Sequence, residues 1–160
     1  MKKMALLTLA VFALSVLGGG LHAGLKNWKE MNDQVIKLYQ EGRAAEAMPL
    51  AEEVLKTAEA QYAEDSPEVA LSLNNLALLQ KGQQKYDEAL KLYQRSLKIA
   101  EKITEPDNQR VIVALNNIAL TYEAMGNPAE ADKIYKRVRE LGYKEEADIM
   151  KDRASGLRVK

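Results

Sequence analysis

The chain has 160 residues, with 23 basic and 23 acidic side chains, no cysteine and one histidine, His22. Such a charge balance lacks the polybasic field that marks a nucleic-acid partner, and zero cysteine excludes disulfides, thiol nucleophiles and thiolate metal sites. At this length one modest domain behind a leader is expected, with no room for a second.

Residues 1–23 read as a cleavable bacterial Sec-type signal peptide. Lys2 and Lys3 give a positive start, Ala5 to Leu17 is apolar apart from Thr8 and Ser15, and Gly18-Gly19-Gly20 breaks the run before Ala23. An apolar run of 13 residues is short against the roughly 20 of a spanning helix; an uncleaved membrane anchor is the alternative. Cleavage is open between the bonds after Gly18, Gly20 and Ala23, because Leu21-His22-Ala23 ends on a small residue but carries a bulky one two before it. No cysteine follows the apolar run, so a lipid-modified cysteine anchor is excluded, and the chain has no Asn-x-Ser/Thr sequon, which fits a bacterial source. A periplasmic or secreted address follows, with no stable membrane insertion after cleavage.

The next segments predict helices in pairs. The first pair runs from about Leu25 to Glu41 and from Ala44 to Tyr62, joined at Gly42, which permits the left-handed stop of a helix. Pro49 near the start of the second helix costs little in the first turn and more beyond it. Asp65-Ser66-Pro67-Glu68 opens the next helix, with Ser66 or Asp65 as cap, Pro67 preset for the first turn and Glu68 favourable at the positive helix end. This second unit continues to about Ile103, where Thr104-Glu105-Pro106-Asp107-Asn108 breaks it. Asn127-Pro128-Ala129-Glu130 repeats the start, with Asn127 as cap and Glu130 placed to return the bond; Glu46 and Glu88 hold the same place in their units. Gly142 ends the sixth helix. Tyr143 to about Arg153 is expected to form a seventh, capping helix with Ala147 and Met150 as its apolar contacts, before a frayed tail to Lys160.

These pairs are copies of one another. Ala47, Ala89 and Ala131 are 42 residues apart, as are Gly42, Gln84 and Gly126, and Leu73-Asn74-Asn75-Leu76-Ala77-Leu78 returns as Leu115-Asn116-Asn117-Ile118-Ala119-Leu120. Repeats at this period cannot each bury an apolar face alone, so they stack. Function is then expected on the surface that stacking builds.

Catalysis finds little purchase. With the leader removed after Ala23 the chain has neither histidine nor cysteine, which excludes imidazole acid–base chemistry and the common zinc ligand sets. Glu52-Glu53, Glu145-Glu146 and the period-42 glutamates are explained as helix caps or solvated faces. Gly18-Gly19-Gly20 has no strand before it and no Lys-Ser/Thr after it, so it is no phosphate loop. No catalytic residue, metal or cofactor is expected.

The residues inside each unit carry a resemblance. Leu73, Leu76, Ala77 and Gln80 at helical spacing, the turn Gln84-Lys85-Tyr86-Asp87-Glu88-Ala89 and the stripe Leu90, Tyr93, Leu97 and Ala100 are similar to the tetratricopeptide repeat. Ser66-Pro67-Glu68-Val69-Ala70-Leu71-Ser72-Leu73-Asn74-Asn75-Leu76-Ala77 resembles the longer repeats of kinesin light chain. The first unit is more divergent, with Met31, Gln34 and Val35 in place of Leu/Leu/Ala. The resemblance implies an all-α, right-handed α-solenoid of three helix pairs, about 25–65, 66–107 and 108–141, plus a capping helix within 142–160.

It also implies that the first helix of each pair lines a concave groove for a segment of a partner protein. The groove candidates are Asn32, Asp33, Asn74, Asn75, Leu78, Asn116, Asn117 and Leu120, with Ile36 beside them. Two adjacent asparagines in mid-helix are poor for propensity, and their amides both donate and accept, which suits a peptide backbone. The alternative is that these amides bridge neighbouring helices and that Ile36, Leu78 and Leu120 pack inward. Tetratricopeptide domains that clamp a terminal carboxylate place Lys and Arg where this chain has Asp33, Asn75 and Asn117, so a carboxylate clamp is not expected; Lys29 and Lys81 stand at the rim. Tyr86, Tyr93 and Tyr135 are expected in the core and Trp28 as an N-terminal cap. The expected role is an adaptor that binds a peptide segment in the groove, against an alternative as a structural subunit or homo-oligomer using its ends or convex face.

Overall fold

A computed structural model describes residues 27–103 and 109–141. Its elements are α1 (Trp28–Gln40), α2 (Ala44–Gln61), α3 (Pro67–Gly82), α4 (Tyr86–Lys102), α5 (Gln109–Ala124) and α6 (Pro128–Glu140), with no strand among the described residues. Each helix packs on its neighbours in sequence, and the first helices of successive pairs touch, α1 on α3 and α3 on α5. The result is an all-α solenoid of three helix pairs. The leader, the 104–108 break, Gly142, the expected seventh helix and the tail lie outside the described residues, as does Leu25 at the expected start of α1.

Short turns close each pair, and they use the same backbone each time. Gly42, Gln84 and Gly126, one repeat apart, have φ of 74°, 62° and 75°. The left-handed region is open to glycine and costly for a side chain, so Gln84 holds the turn under strain that its two counterparts avoid.

Helix starts differ more than the repeat suggests. Ser66 caps α3, its hydroxyl accepting from the Val69 N–H at 3.2 Å, with Pro67 in the first turn. Asn127 caps α6 by accepting from the Glu130 N–H at 3.4 Å. The return bond expected from Glu130 is replaced: its carboxylate takes the Lys133 ammonium, and the Asn127 N–H goes to the Tyr122 carbonyl at 2.8 Å. Glu46 likewise accepts two bonds from the Arg43 guanidinium, at 2.8 and 2.7 Å, and neither Arg43 nor Lys85 supplies a side-chain cap. Pro49 lies past the first turn of α2, yet the helix runs on to Gln61; the residue is exposed, and the N–H it lacks leaves the Ala45 carbonyl without its usual donor.

The core follows the repeat. Ala47, Ala89 and Ala131 are all but fully buried, which lets paired helices cross closely. Tyr93 and Tyr135 are buried one repeat apart, with Ala51 at the matching place in the first unit, while Tyr86 is half-buried. Trp28 seals the first pair. Its indole N–H donates to the Ser72 hydroxyl at 2.8 Å, and its ring meets Tyr62 edge-on at 5.7 Å between centroids. None of the described helices is long and apolar enough to cross a membrane.

Candidate groove on the first helices

On α1, α3 and α5, positions spaced i, i+4 and i+7 share a face. That face carries Lys29, Asp33 and Ile36 on α1, Leu71, Asn75 and Leu78 on α3, and Val113, Asn117 and Leu120 on α5. The helices pack side by side, so these become three rows running across the repeats.

The middle row is tied down by amides. The Asn75 Nδ2 donates to the Asn32 Oδ1 at 2.9 Å, and the Asn117 Nδ2 donates to the Asn74 Oδ1 at 2.8 Å. Each bond joins one first helix to the next, at the same offset of 43 residues, so the asparagine pairs form a ladder across both seams. Asn32 and Asn116 are only 3 % and 4 % exposed, so these two belong to the seam and offer nothing to a ligand. Asn74, Asn75 and Asn117 are half-buried and keep an accessible edge. Asn116 holds the acceptor position of Asn32 and Asn74, but its Oδ1 is buried with no hydrogen-bond partner.

The flanking rows are apolar on α3 and α5, with Lys29 at the α1 end of one of them. Ile36 is exposed, and Leu78 and Leu120 are half-buried. On the other flank Leu71 and Val113 are each 42 % exposed, an unusual exposure for aliphatic side chains facing one another across a seam. These two were not among the residues expected in the groove. Their spacing already sets Leu71 and Val113 apart from the buried stripe of Val69, Leu73, Leu76 and Ala77 and its counterpart on α5, and Lys29, at the same repeat position, marks the row as solvent-facing.

Two clefts open along these rows. One of about 370 Å³ is lined by Trp28, Glu68, Leu71, Asn74, Arg110 and Val113, with Ser96 and Ala100 of α4 at its floor. The other, of about 290 Å³, lies between α1 and α3 against Ile36, Tyr39, Asn75 and Leu78. The surface is therefore a shallow trough, apolar along α3 and α5 with amides along its middle, with the Lys29–Asp33 pair on α1 and with Glu68 and Arg110 lining the first cleft.

Charges near the rim are mostly spoken for. Lys29 donates to Asp33 at 2.8 Å, and that hydrogen bond, with the carboxylate's charge, raises the lysine above its ordinary range. Lys81 is half-buried, and burial pulls its pKa down. The phenols of Tyr93 and Tyr135 are pushed up by burial, which keeps them protonated and unfit as bases. Among the described residues no three His, Cys, Asp or Glu side chains converge as a metal site.

The second helices carry a matching ladder on the opposite side of each pair. Arg95 of α4 pairs with Glu59 of α2, and Arg137 of α6 pairs with Glu101 of α4, again one repeat apart. Lys102 adds a bond to Asp65 at 2.8 Å.

Solved structures with this architecture are repeat proteins. A putative kinesin light chain of Podosopora anserina with nearly identical TPR-like repeats aligns at a TM-score of 0.68 and 18 % identity, over 94 % of this chain and 80 % of that one. The TPR domain of Arabidopsis FLU aligns at a TM-score of 0.64 and 18 % identity, over 74 % of this chain and 96 % of that one. BtubC (BKLC) from P. vanneervenii aligns at a TM-score of 0.66 and 22 % identity, over 93 % of this chain and 56 % of that one. At these identities the likeness is one of fold. No curated protein matches the sequence. A tetratricopeptide repeat model matches residues 37–102 and again 78–143, two spans that together reach from the end of α1 through α6; the chain belongs to the tetratricopeptide repeat family.

Proposed function

We propose that this protein is an exported, non-enzymatic adaptor that holds an extended segment of a partner protein in the trough on α1, α3 and α5. Membership of the repeat family supports a protein-interaction scaffold. The observation that carries the finer reading is the pair Leu71 and Val113, exposed beside a cleft of about 370 Å³ where neighbouring units could have buried them. The ladder gives this trough a fixed floor: the amides spend one N–H on each other, and the remaining valence of Asn75 and Asn117 faces the segment's backbone. Apolar side chains of the segment then fill the clefts on either side.

The test pairs groove and convex variants. Leu71→Asp/Val113→Asp should abolish capture of partners from envelope extract while leaving the melting temperature near that of the parent, since both positions are already solvated. Lys91→Glu, exposed on α4, should capture as the parent does. Capture retained by the groove variant and lost by the convex one would move the binding surface to the outside of the solenoid.

Export rests on the leader's positive start, short apolar run and small residues before Gly24. Intact mass of the soluble protein should show loss of about 18–23 residues from the N-terminus; a full-length mass there would remove the periplasmic address.

A further inference from the structure

The two clefts of the trough are staggered. The larger opens over the N-terminal halves of α3 and α5, between Leu71 and Asn74 on one and Arg110 and Val113 on the other. The smaller opens between the C-terminal halves of α1 and α3, against Ile36, Tyr39 and Leu78. They therefore lie in consecutive seams and on opposite sides of the amide line, with α3 between them. Along α3 the step from Leu71 to Leu78 is seven residues, about 10 Å at 1.5 Å each, so each cleft stands roughly 5 Å to one side of Asn74 and Asn75. Across the helices, one seam follows the next at the spacing of packed helices, about 8–10 Å.

A segment lying along the amide line fills both clefts only if two of its side chains project to opposite flanks and stand that far apart along its length. Three backbone forms answer this demand differently. An extended strand rises about 3.3 Å per residue and alternates its side chains, so residues i and i+3 stand about 10 Å apart on opposite sides. A polyproline II segment advances about 9 Å over the same three residues but returns to the same side. An α-helix needs about six residues to advance as far, and its backbone groups are already bonded to one another. Asn75 and Asn117 each keep one N–H and an Oδ1 beyond the ladder, and these need free backbone groups to engage. The strand alone meets both conditions. Charge narrows the side chains further. No charged residue lines the smaller cleft, and the larger holds one of each sign, Glu68 and Arg110, so a charged anchor there meets its like as well as its opposite.

We infer that the trough reads an extended strand by two bulky, uncharged side chains at i and i+3, one in each cleft, with Asn75 bonding the backbone between them and Asn117 the backbone beyond the larger cleft. This rests on the reading of the trough as a segment-binding groove and adds its register and its selectivity for neutral anchors.

Trp28 is the only tryptophan and lines the larger cleft, so its fluorescence reports occupancy. The probes are short peptides of serine and threonine that carry either a single phenylalanine or two, spaced i and i+2, i+3, i+4 or i+6. The i, i+3 peptide should bind at least about tenfold more tightly than each of the others, the worth of one further buried ring. Exchanging either of its phenylalanines for glutamate should bring it down to the single-ring value. So should Ile36→Asp, a change at an exposed position beside the smaller cleft. Equal or tighter binding of another spacing would overturn the register and leave the groove standing. So would binding of the i, i+3 peptide that Ile36→Asp leaves unchanged. If no peptide bound while Leu71→Asp/Val113→Asp still abolished partner capture, the register would fail and the groove reading would hold; if capture also survived that variant, both would fall.

Discussion

Gln84 is where the repeat departs most clearly from its own rule. Its φ of 62° is the conformation that Gly42 and Gly126 adopt without a side chain to accommodate. A left-handed residue with a Cβ costs roughly 1–2 kcal/mol, and glycine returns part of that through the greater freedom of its unfolded chain. Gln84→Gly should therefore stabilise the fold by about 0.5–1 kcal/mol, read as a higher urea midpoint at unchanged slope. A lower midpoint would mean that the glutamine side chain contributes more than the strain removes. Lys81 gives a second residue-scale case, with the sign set by burial. Its pKa lies below the ordinary 10.5 because the charged form is desolvated in the fold. At neutral pH the folded state carries the full cost of that buried charge, and the cost disappears once pH rises through the folded pKa and on past the unfolded one. Lys81→Met should thus raise the melting temperature at pH 7, and the gain should shrink as pH approaches and passes the ordinary lysine value. A gain that is flat across that range would assign the effect to packing alone.

At the scale of the element, helix pairs are fixed by small residues where they cross. Ala89 is fully buried. Ala89→Leu forces extra volume into that crossing and should cost about 1–3 kcal/mol in chemical unfolding; an unchanged midpoint would show that α3 and α4 cross elsewhere. The existence and limits of the helices were legible because the sequence states them several times over. The 42-residue return, Ser66-Pro67 and Asn127-Pro128 at helix starts, and Gly42 and Gly126 at turns each mark a boundary that the structure reproduces to within a few residues. What lies on each face was less legible. Periodicity sets Leu71 off the core stripe but does not tell a leucine in open solvent from one that lines a trough, because that depends on how far the next pair is rotated. The partner of each amide was hidden for the same reason. That Asn75 reaches Asn32, and not Asp33, its own counterpart one repeat earlier, follows from the relative shift of α1 and α3, which no single helix encodes. Glu130 shows the competing effect at a cap: a lysine three residues on offered its carboxylate a better partner than the backbone N–H did.

Across the whole molecule, the units are joined by two ladders, one of amides on the first helices and one of Arg–Glu pairs on the second. Contacts run between adjacent helices and between successive first helices, so stability should divide into units and seams, as in other linear arrays. The Arg–Glu pairs are partly solvated and contribute little, about 0–1 kcal/mol each. The amide bond is half-buried, and losing Asn117 leaves the Asn74 Oδ1 without its donor, which should cost roughly 1–3 kcal/mol. Asn117→Ala/Arg137→Ala cuts both ladders at the second seam while leaving the first intact. Native-state hydrogen exchange should then show amides of α5 and α6 opening roughly 10 to 100 times more readily than in the parent, with α1 and α2 unchanged. Exchange that rises equally in all six helices would show the three pairs unfolding as one cooperative block, with neither ladder acting as a separable seam.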